Sequence, residues 1–530
     1  MYERRQSVDV YAEEHNIDTA VEVAGFGKFN LKIVIVSGLI LLNTAFSISN
    51  VGLILPSAAC DFSLTTADKS HLSTAPILGM MIGSYFWGCL ADLQGRKFVL
   101  LAALFSQGIF EALSSVIPNY WTFLVLKFFS GFSVNGQTAV AFTYLGEFQS
   151  SRRRERTLCW LELAWSLGLI GLPLVGWGII PLEISYTTRY FHFYSWNLFV
   201  LICSLPALAI GLWLLTFPET PKYLAESGDD AKLADTLDLM HKENTGKSFD
   251  EYLEKLEECG EVEFCTRLKA RSNATGNDTS QLEKIVKIFA QVYLQTIEIL
   301  KPPFLQRTAI SCAIMFCLGS SYYALTIWFP EIFTRFAKFE VKFPGESASV
   351  CSITKLYSIN ATNVTQECPV HIPTNVYMHM VILGGACIPL SLLLPVFVDS
   401  LGYKFYLISS SIVASAVTMG LFFVRSSTQN LVLSAIYEAF TSIGMSIVLC
   451  ILIEIFPTKF RATASALAVF FIRVGALFGN LLLGFLIDNY CMPIIIVLAV
   501  QLLACAFLGL LIPLKRTVKK IPDENEVTSL

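Results

Sequence analysis

Five ionisable side chains, Glu111, Lys127, Glu162, Glu438 and Arg473, fall inside long apolar runs. A charge in hydrocarbon is costly and usually faces a cavity or a partner, so each is a candidate for binding a solute or holding a gate. Arg473, near the middle of its run, is the first choice; its alternative role is an ion pair with Glu438 or another helix. Lys127 and Glu438 each lie about two turns from the end of theirs. Glu111 reads as a side chain that reaches outward to the membrane boundary, and Glu162 as part of a charge network at the inner face. Asn43, Asn50, Asn135 and Gln137 can hydrogen-bond a solute or join helices to one another. Tyr322 and Tyr323 offer an aromatic wall, with Trp328 read as an interfacial anchor. Lys127 and Arg473 together favour an anionic solute.

A second group of charges sits on short polar turns. Gly88, Asp92, Gly95, Arg96 and Lys97 occupy one turn, and Asp399, Gly402 and Lys404 repeat Asp92, Gly95 and Lys97 at an offset of 307 residues. Glu147 and Arg154 return as Glu454 and Arg461 at that same offset of 307. Glycine permits a tight reversal, and acids and bases on such turns can pair into a latch. Solvated pairs contribute about 1 kcal/mol at most, so such a latch can break and reform. Tyr403 stands where the first copy has Arg96, which leaves the second copy incomplete.

The elements that carry these groups follow from composition. The 530 residues are 54% hydrophobic and 15% charged, with a mean hydropathy of +0.58. That is a polytopic membrane protein. A helical crossing needs about 20 apolar residues, and twelve runs qualify: 31–55, 70–93, 97–117, 120–147, 158–181, 195–217, 307–332, 376–399, 404–424, 430–456, 462–487 and 491–513. The predicted fold is therefore an all-α membrane protein of twelve transmembrane helices in two pseudo-symmetric six-helix halves. Residues 31–217 form the first half and 307–513 the second, including an outer loop at 333–375. Polar tails occupy 1–30 and 514–530. Between the halves, 218–306 is a polar linker in which Leu233, Leu237, Met240, Phe249, Leu253 and Leu256 recur at helical spacing.

Residues 1–30 show no removable signal peptide. Lys and Arg beside the spans place both termini in the cytosol. The outer loop then carries two glycosylation sequons, at Asn360 and Asn363. Sequons at Asn273 and Asn277 face the cytosol and read as coincidence. Cys351 and Cys368 share the outer loop and are the pair that can bridge in an oxidising compartment. No metal-ligand spacing, phosphate-binding glycine loop or hydrolytic triad is recognisable. The expectation is neither enzyme, cofactor nor nucleic-acid partner. The terminal Thr528-Ser529-Leu530 could be captured by a peptide-binding partner.

Gly88 to Lys97 resembles the loop signature of the major facilitator superfamily. Phe217-Pro218-Glu219-Thr220-Pro221-Lys222-Tyr223-Leu224 is similar to the Pro-Glu-Ser-Pro-Arg motif of sugar porters and organic ion transporters, and Glu454 to Arg461 is a further match. Tyr322 to Glu331, Phe343-Pro344-Gly345-Glu346 and Leu55-Pro56-Ser57-Ala58 resemble the synaptic vesicle glycoprotein 2 family. The resemblance implies the major facilitator fold and gradient-driven or facilitative transport of a small organic solute by alternating access. It implies a plasma-membrane or vesicle location. Its other implication is a non-transporting vesicle glycoprotein acting in trafficking or protein binding. That family's large lumenal repeat domain has no counterpart here. Thr44 and Ser47 stand where acids are expected, and Lys127 replaces an arginine, which weakens proton coupling through the first span.

Overall fold

The computed structural model describes residues 15–512 apart from 60, 183, 189–191, 271–289, 291–292, 345–348, 362–371 and 457. In lipid each backbone N–H and C=O must be satisfied within its own segment, so the apolar runs fold as helices. The first half comprises α1 (Lys28–Ser57), α2 (Thr66–Gln94), α3 (Arg96–Ser114), α4 (Tyr120–Glu147), α5 (Ser151–Ile179) and α6 (Ser195–Leu214). A small hairpin of β1 (Ser185–Thr187) and β2 (His192–Tyr194) joins α5 to α6. Local signals set the helix starts: Thr65 and Asp68 form a capping box at α2, and the Asn119 side chain accepts from the Trp121 and Thr122 N–H groups at α4.

Four linker helices follow: α7 (Pro221–Ser227), α8 (Asp230–Thr245), α9 (Phe249–Glu258) and α10 (Val262–Ala270). Leu233, Leu237 and Met240 of α8 pack with Leu253 and Leu256 of α9 in a core shared with α1 and the segment before it. Asn244 fixes the docking. It donates to Asn30 Oδ1 at 2.7 Å and to Gly25 O at 3.0 Å, and accepts from the Phe29 N–H at 3.0 Å. His241 is buried in this core, edge-tilted on Tyr252 at 5.2 Å. Burial, with help from Lys255, holds its ring below the ordinary value of 6.5. The unfolded chain therefore binds the proton first, so the contribution of His241 is full above about pH 6.5 and falls as pH drops below it. A histidine-selective NMR titration should show its midpoint below 6.5, and a midpoint above it would contradict this burial.

The second half comprises α11 (Leu305–Lys342), α12 (Val350–Ala361), α13 (Thr374–Leu401), α14 (Tyr403–Gly420), α15 (Ser427–Ile455) and α16 (Thr458–Leu511). Among the described residues nine helices are long and apolar enough to cross a membrane, or ten when the bent α2 is one span. α16 is two spans joined at Tyr490, whose φ of −129° and ψ of 39° break the helix. α4 completes the twelve; Lys127, Asn135 and Gln137 dilute its apolar character.

Two expected boundaries move. The seventh span does not end at 332; α11 continues to Lys342, because Phe333, Phe336 and Phe339 keep a buried face at helical spacing while Arg335 and Lys342 interrupt the apolar run. The outer loop at 333–375 is thus partly helical, and α12 stands within it. Cys351 of α12 bonds Cys491, just past the α16 break, rather than Cys368. Cys368 lies outside the described residues, as do Asn363 and residues 528–530.

The halves meet along three helix pairs: α1 with α11, α2 with α16, and α5 with α13. Glycine makes the close approaches possible. A Cβ on Gly52 would stand 2.9 Å from Ile327 O, one on Gly384 2.9 Å from the Leu169 carbonyl carbon, and one on Gly484 2.1 Å from the Ser70 Cβ.

Candidate solute pathway and gates

The Gly88–Lys97 turn defines one end of the bundle, here the motif end. Thr66, Lys342 and α12 mark the opposite, far end. At the motif end the turn is organised by Glu219, from the Pro218-Glu219-Thr220-Pro221 segment. Its carboxylate accepts the Arg96 N–H at 3.1 Å and the Lys97 N–H at 3.0 Å, capping α3. Burial raises this carboxyl above its usual range, against the lowering effect of its backbone N–H donors and Arg96. Gly95 has a φ of +95° and a ψ of 159°, and a Cβ there would lie 2.3 Å from Glu219 Oε2.

Arg96 gathers the surrounding acids. Its Nε donates to Glu147 Oε1 at 3.1 Å, with Asp92 at 3.6 Å and Glu226 at 4.0 Å, and Tyr223 lies under its guanidinium at 5.5 Å. Asp92 and Glu226 are more than half exposed and contribute little; Glu147, with its side chain 13% exposed, is the better-shielded partner. Arg154 does not pair with Glu147. It reaches Asp18 at 3.0 Å and the Gly146 carbonyl at 2.9 Å, because Arg96 already holds the carboxylate. Gly88 has open space around it.

The second-half copy keeps the turn, with Tyr403 at the position of Arg96. Gly402 has φ +79° and ψ 150°, close to Gly95, yet a Cβ on it meets nothing. Lys97 donates to Leu215 O beyond α6, and Lys404 to Leu510 O and Ile512 O at the end of α16, so both cap the last helix of their half. Arg96→Ala should therefore lower the thermal midpoint of the purified protein more than Lys404→Ala, which frees only two carbonyls. Equal losses would contradict this asymmetry. The side chains of Asp399, Glu454, Arg461 and Asn360 lie outside the description, although their backbones are helical.

Inside the first half, Lys127 is not free for a solute. It is ion-paired with Glu111, both side chains at most 2% exposed. Asn50 donates to Glu111 Oε1 at 2.6 Å and Ser130 to Oε2 at 2.7 Å. Glu111 thus points inward to a partner rather than outward to the membrane boundary, since a carboxylate taken out of water is stabilised by pairing. Asn43 belongs to a similar ladder. It donates to Gln107 and Gln137, both at 2.9 Å, tying α1, α3 and α4 together.

Between the halves lies a cavity of about 20 Å³ lined by Ser49, Leu53, Leu172, Thr326, Met380 and Glu438 among others. Glu438 accepts from Thr326 Oγ1 at 2.7 Å, and the Tyr322 hydroxyl adjoins its carboxylate. Arg473 does not pair with Glu438. Its Nη1 donates to the Tyr323 hydroxyl at 2.8 Å and its guanidinium lies 5.4 Å from that ring. Tyr322 and Tyr323 stand edge to face at 5.1 Å and, as consecutive helical residues, direct these two ions to different sides of α11. Glu162 meets Ser446 of α15 rather than a cationic network.

The far end holds a charged cluster that reading the spans one by one does not reveal. Lys69 of α2 donates to Glu331 of α11 at 2.6 Å, and Arg335 bridges Glu331 at 3.0 Å and Asp488 at 2.9 Å. Thr66 donates to Asp488 at 2.5 Å. Lys69, Glu331 and Arg335 are each less than 10% exposed. Lys69–Glu331 is, among the described residues, the ion pair that joins the two halves, and it lies at the far end.

The Major Facilitator Superfamily model matches residues 38–367 and 369–529. The chain belongs to this superfamily. It is 31% identical over 363 residues to synaptic vesicle glycoprotein 2B of Mus musculus, covering 64% of this chain and 50% of that one. It is 29% identical over 355 residues to synaptic vesicle glycoprotein 2A of Homo sapiens, covering 65% and 47%. The chain thus spans about half the length of the curated relatives it matches. The inward open xylose transporter XylE from E. coli superposes with a TM-score of 0.63 at 14% identity, covering 93% of this chain and 98% of XylE. That likeness shows the fold, and with the family match and the apolar helices it makes the chain an integral multi-pass membrane protein with a twelve-helix architecture.

Proposed function

We propose that this protein moves a small organic solute across a membrane by alternating access. One observation carries the reading: two halves closed at the far end by a buried ion pair, Lys69–Glu331, above a cavity that both halves line. A site between halves that rock about it is how such folds expose a solute to each side in turn. A buried pair can serve as a gate because desolvation nearly offsets its Coulomb attraction. The fold shared with the xylose transporter XylE supports the same reading.

The motif end faces the cytosol. Arg96, Lys97, Arg153 and Arg154 collect there, while the Cys351–Cys491 bond suits an oxidising outer compartment at the far end. Asn360 and Asn363 are then glycan acceptors, and N-glycosidase should shift the gel mobility of the protein but not of the Asn360→Gln, Asn363→Gln double variant. A shift that persists in the variant would contradict this placement. The transport reading is tested by uptake into proteoliposomes of a panel of neutral, anionic and cationic metabolites under proton and sodium gradients. Uptake of at least one above protein-free vesicles is expected, and none for the whole panel would overturn it.

A further inference from the structure

The geometry points to a specific solute class: an organic cation with an apolar body, whose charge is met by Glu438. This rests on reading the interhalf cavity as the solute site. Three other carboxylates have cations: Glu111 has Lys127, the mostly buried Glu147 has Arg96, and Glu331 lies between Lys69 and Arg335, while Glu162 meets Ser446 and does not line the interhalf cavity. Glu438 has none among the described residues. It is 1% exposed, its Oε2 accepts from Thr326, the neutral Tyr322 hydroxyl adjoins the carboxylate, and its Oε1 is buried with no donor in hydrogen-bond geometry. Arg473, the buried cation of the neighbouring helix, is turned to Tyr323. Lys127 is neutralised within the first half. The sequence-based lean toward an anion therefore loses Lys127, and the charge left facing the cavity is negative.

An isolated carboxylate taken out of water is strongly disfavoured, so the charge on Glu438 calls for a counter-charge. A proton would remove the charge but would leave Oε1 without a hydrogen-bond partner, whether as a bare acceptor or as an O–H with nothing to accept it. The cavity is walled by Leu53, Leu172, Pro173, Met380 and Leu383, and its hydroxyls come from Ser49 and Thr326. A primary or secondary ammonium supplies both the positive charge and the N–H donor that Oε1 lacks, while its hydrocarbon part covers the leucines. At about 20 Å³ with the far end closed, the cavity is near the size of one water, so an organic ligand enters only as the halves part.

Three probes with the same aromatic body separate the possibilities: phenethylammonium, 3-phenylpropionate and 2-phenylethanol. Binding of each to the purified full chain is measured by thermal-shift titration, in wild type, Glu438→Gln and Glu438→Asp. The cation is expected to bind most tightly. Glu438→Gln, which keeps shape and removes charge, should weaken it at least tenfold, and Glu438→Asp, which keeps the charge, should weaken it less. Preference for the anion or the alcohol, no binding of the cation by wild type, or equal cation binding by Glu438→Gln would each overturn the proposal. The wild-type charge preference needs no variant, so misfolding of a variant does not hide the answer. Loss of uptake with cation binding intact would overturn the transport reading alone, whereas uptake confined to anions or neutral solutes would overturn the charge assignment alone.

Discussion

Glu111→Ala should cost about 3–5 kcal/mol of stability, because it strands the Lys127 ammonium in a site 2% exposed. The loss has three parts. The ion pair itself disappears, Asn50 and Ser130 lose the acceptor to which each donates, and a cavity is left against α4. The expected readout is a greatly lowered thermal midpoint and poor recovery from the membrane. Lys127→Ala should be similarly harmful, since it leaves the carboxylate alone. The double change Glu111→Leu with Lys127→Met removes both charges at nearly conserved volume and should recover most of the stability, because apolar replacement of a buried pair is often neutral or better. If the double variant is as unstable as either single one, the pair is not acting through charge compensation.

Gly95→Ala is the second large effect. The backbone conformation at φ +95°, ψ 159° is one that essentially only glycine adopts, and strain of this kind costs about 1–3 kcal/mol. The new methyl would also collide with Glu219 Oε2 at 2.3 Å. Glu219 must then leave the Arg96 and Lys97 N–H groups, which uncaps α3 at a further cost of about 1 kcal/mol. Gly402→Ala is the internal control. It has nearly the same backbone and an open neighbourhood, so it carries only the strain. The thermal midpoint of Gly95→Ala should fall further than that of Gly402→Ala; the reverse order would mean that Glu219 does not organise the motif end.

Much of the architecture was legible because lipid imposes one pattern, an apolar run about 20 residues long for each crossing. The repeat at 307 residues reported a real equivalence, visible in the matching turns at Gly95 and Gly402 and the matching caps by Lys97 and Lys404. What stayed hidden depends on which side chains face each other. Glu111 and Lys127 are 16 residues apart on different helices, and nothing local says that they meet. Lys69, Glu331, Arg335 and Asp488 sit near span ends, where charges pass for interfacial anchors, yet tertiary packing gathers them into one buried cluster at the far end. The partner of Cys351 was missed because Cys491 lies at a helix break that reads as the edge of a span. Glu219 is local to a recognisable motif, but its role as the α3 cap depends on a contact more than 120 residues distant in sequence.

The central claim, that the far end must open for a solute to cross, is tested most directly by tethering Lys69→Cys to Glu331→Cys with a cleavable thiol-reactive linker in a background otherwise free of reactive cysteines. Uptake of whichever solute the panel identifies should stop once the tether is in place and return when the tether is cleaved. Uptake that continues at the untethered rate with the two positions linked would contradict alternating access through this gate.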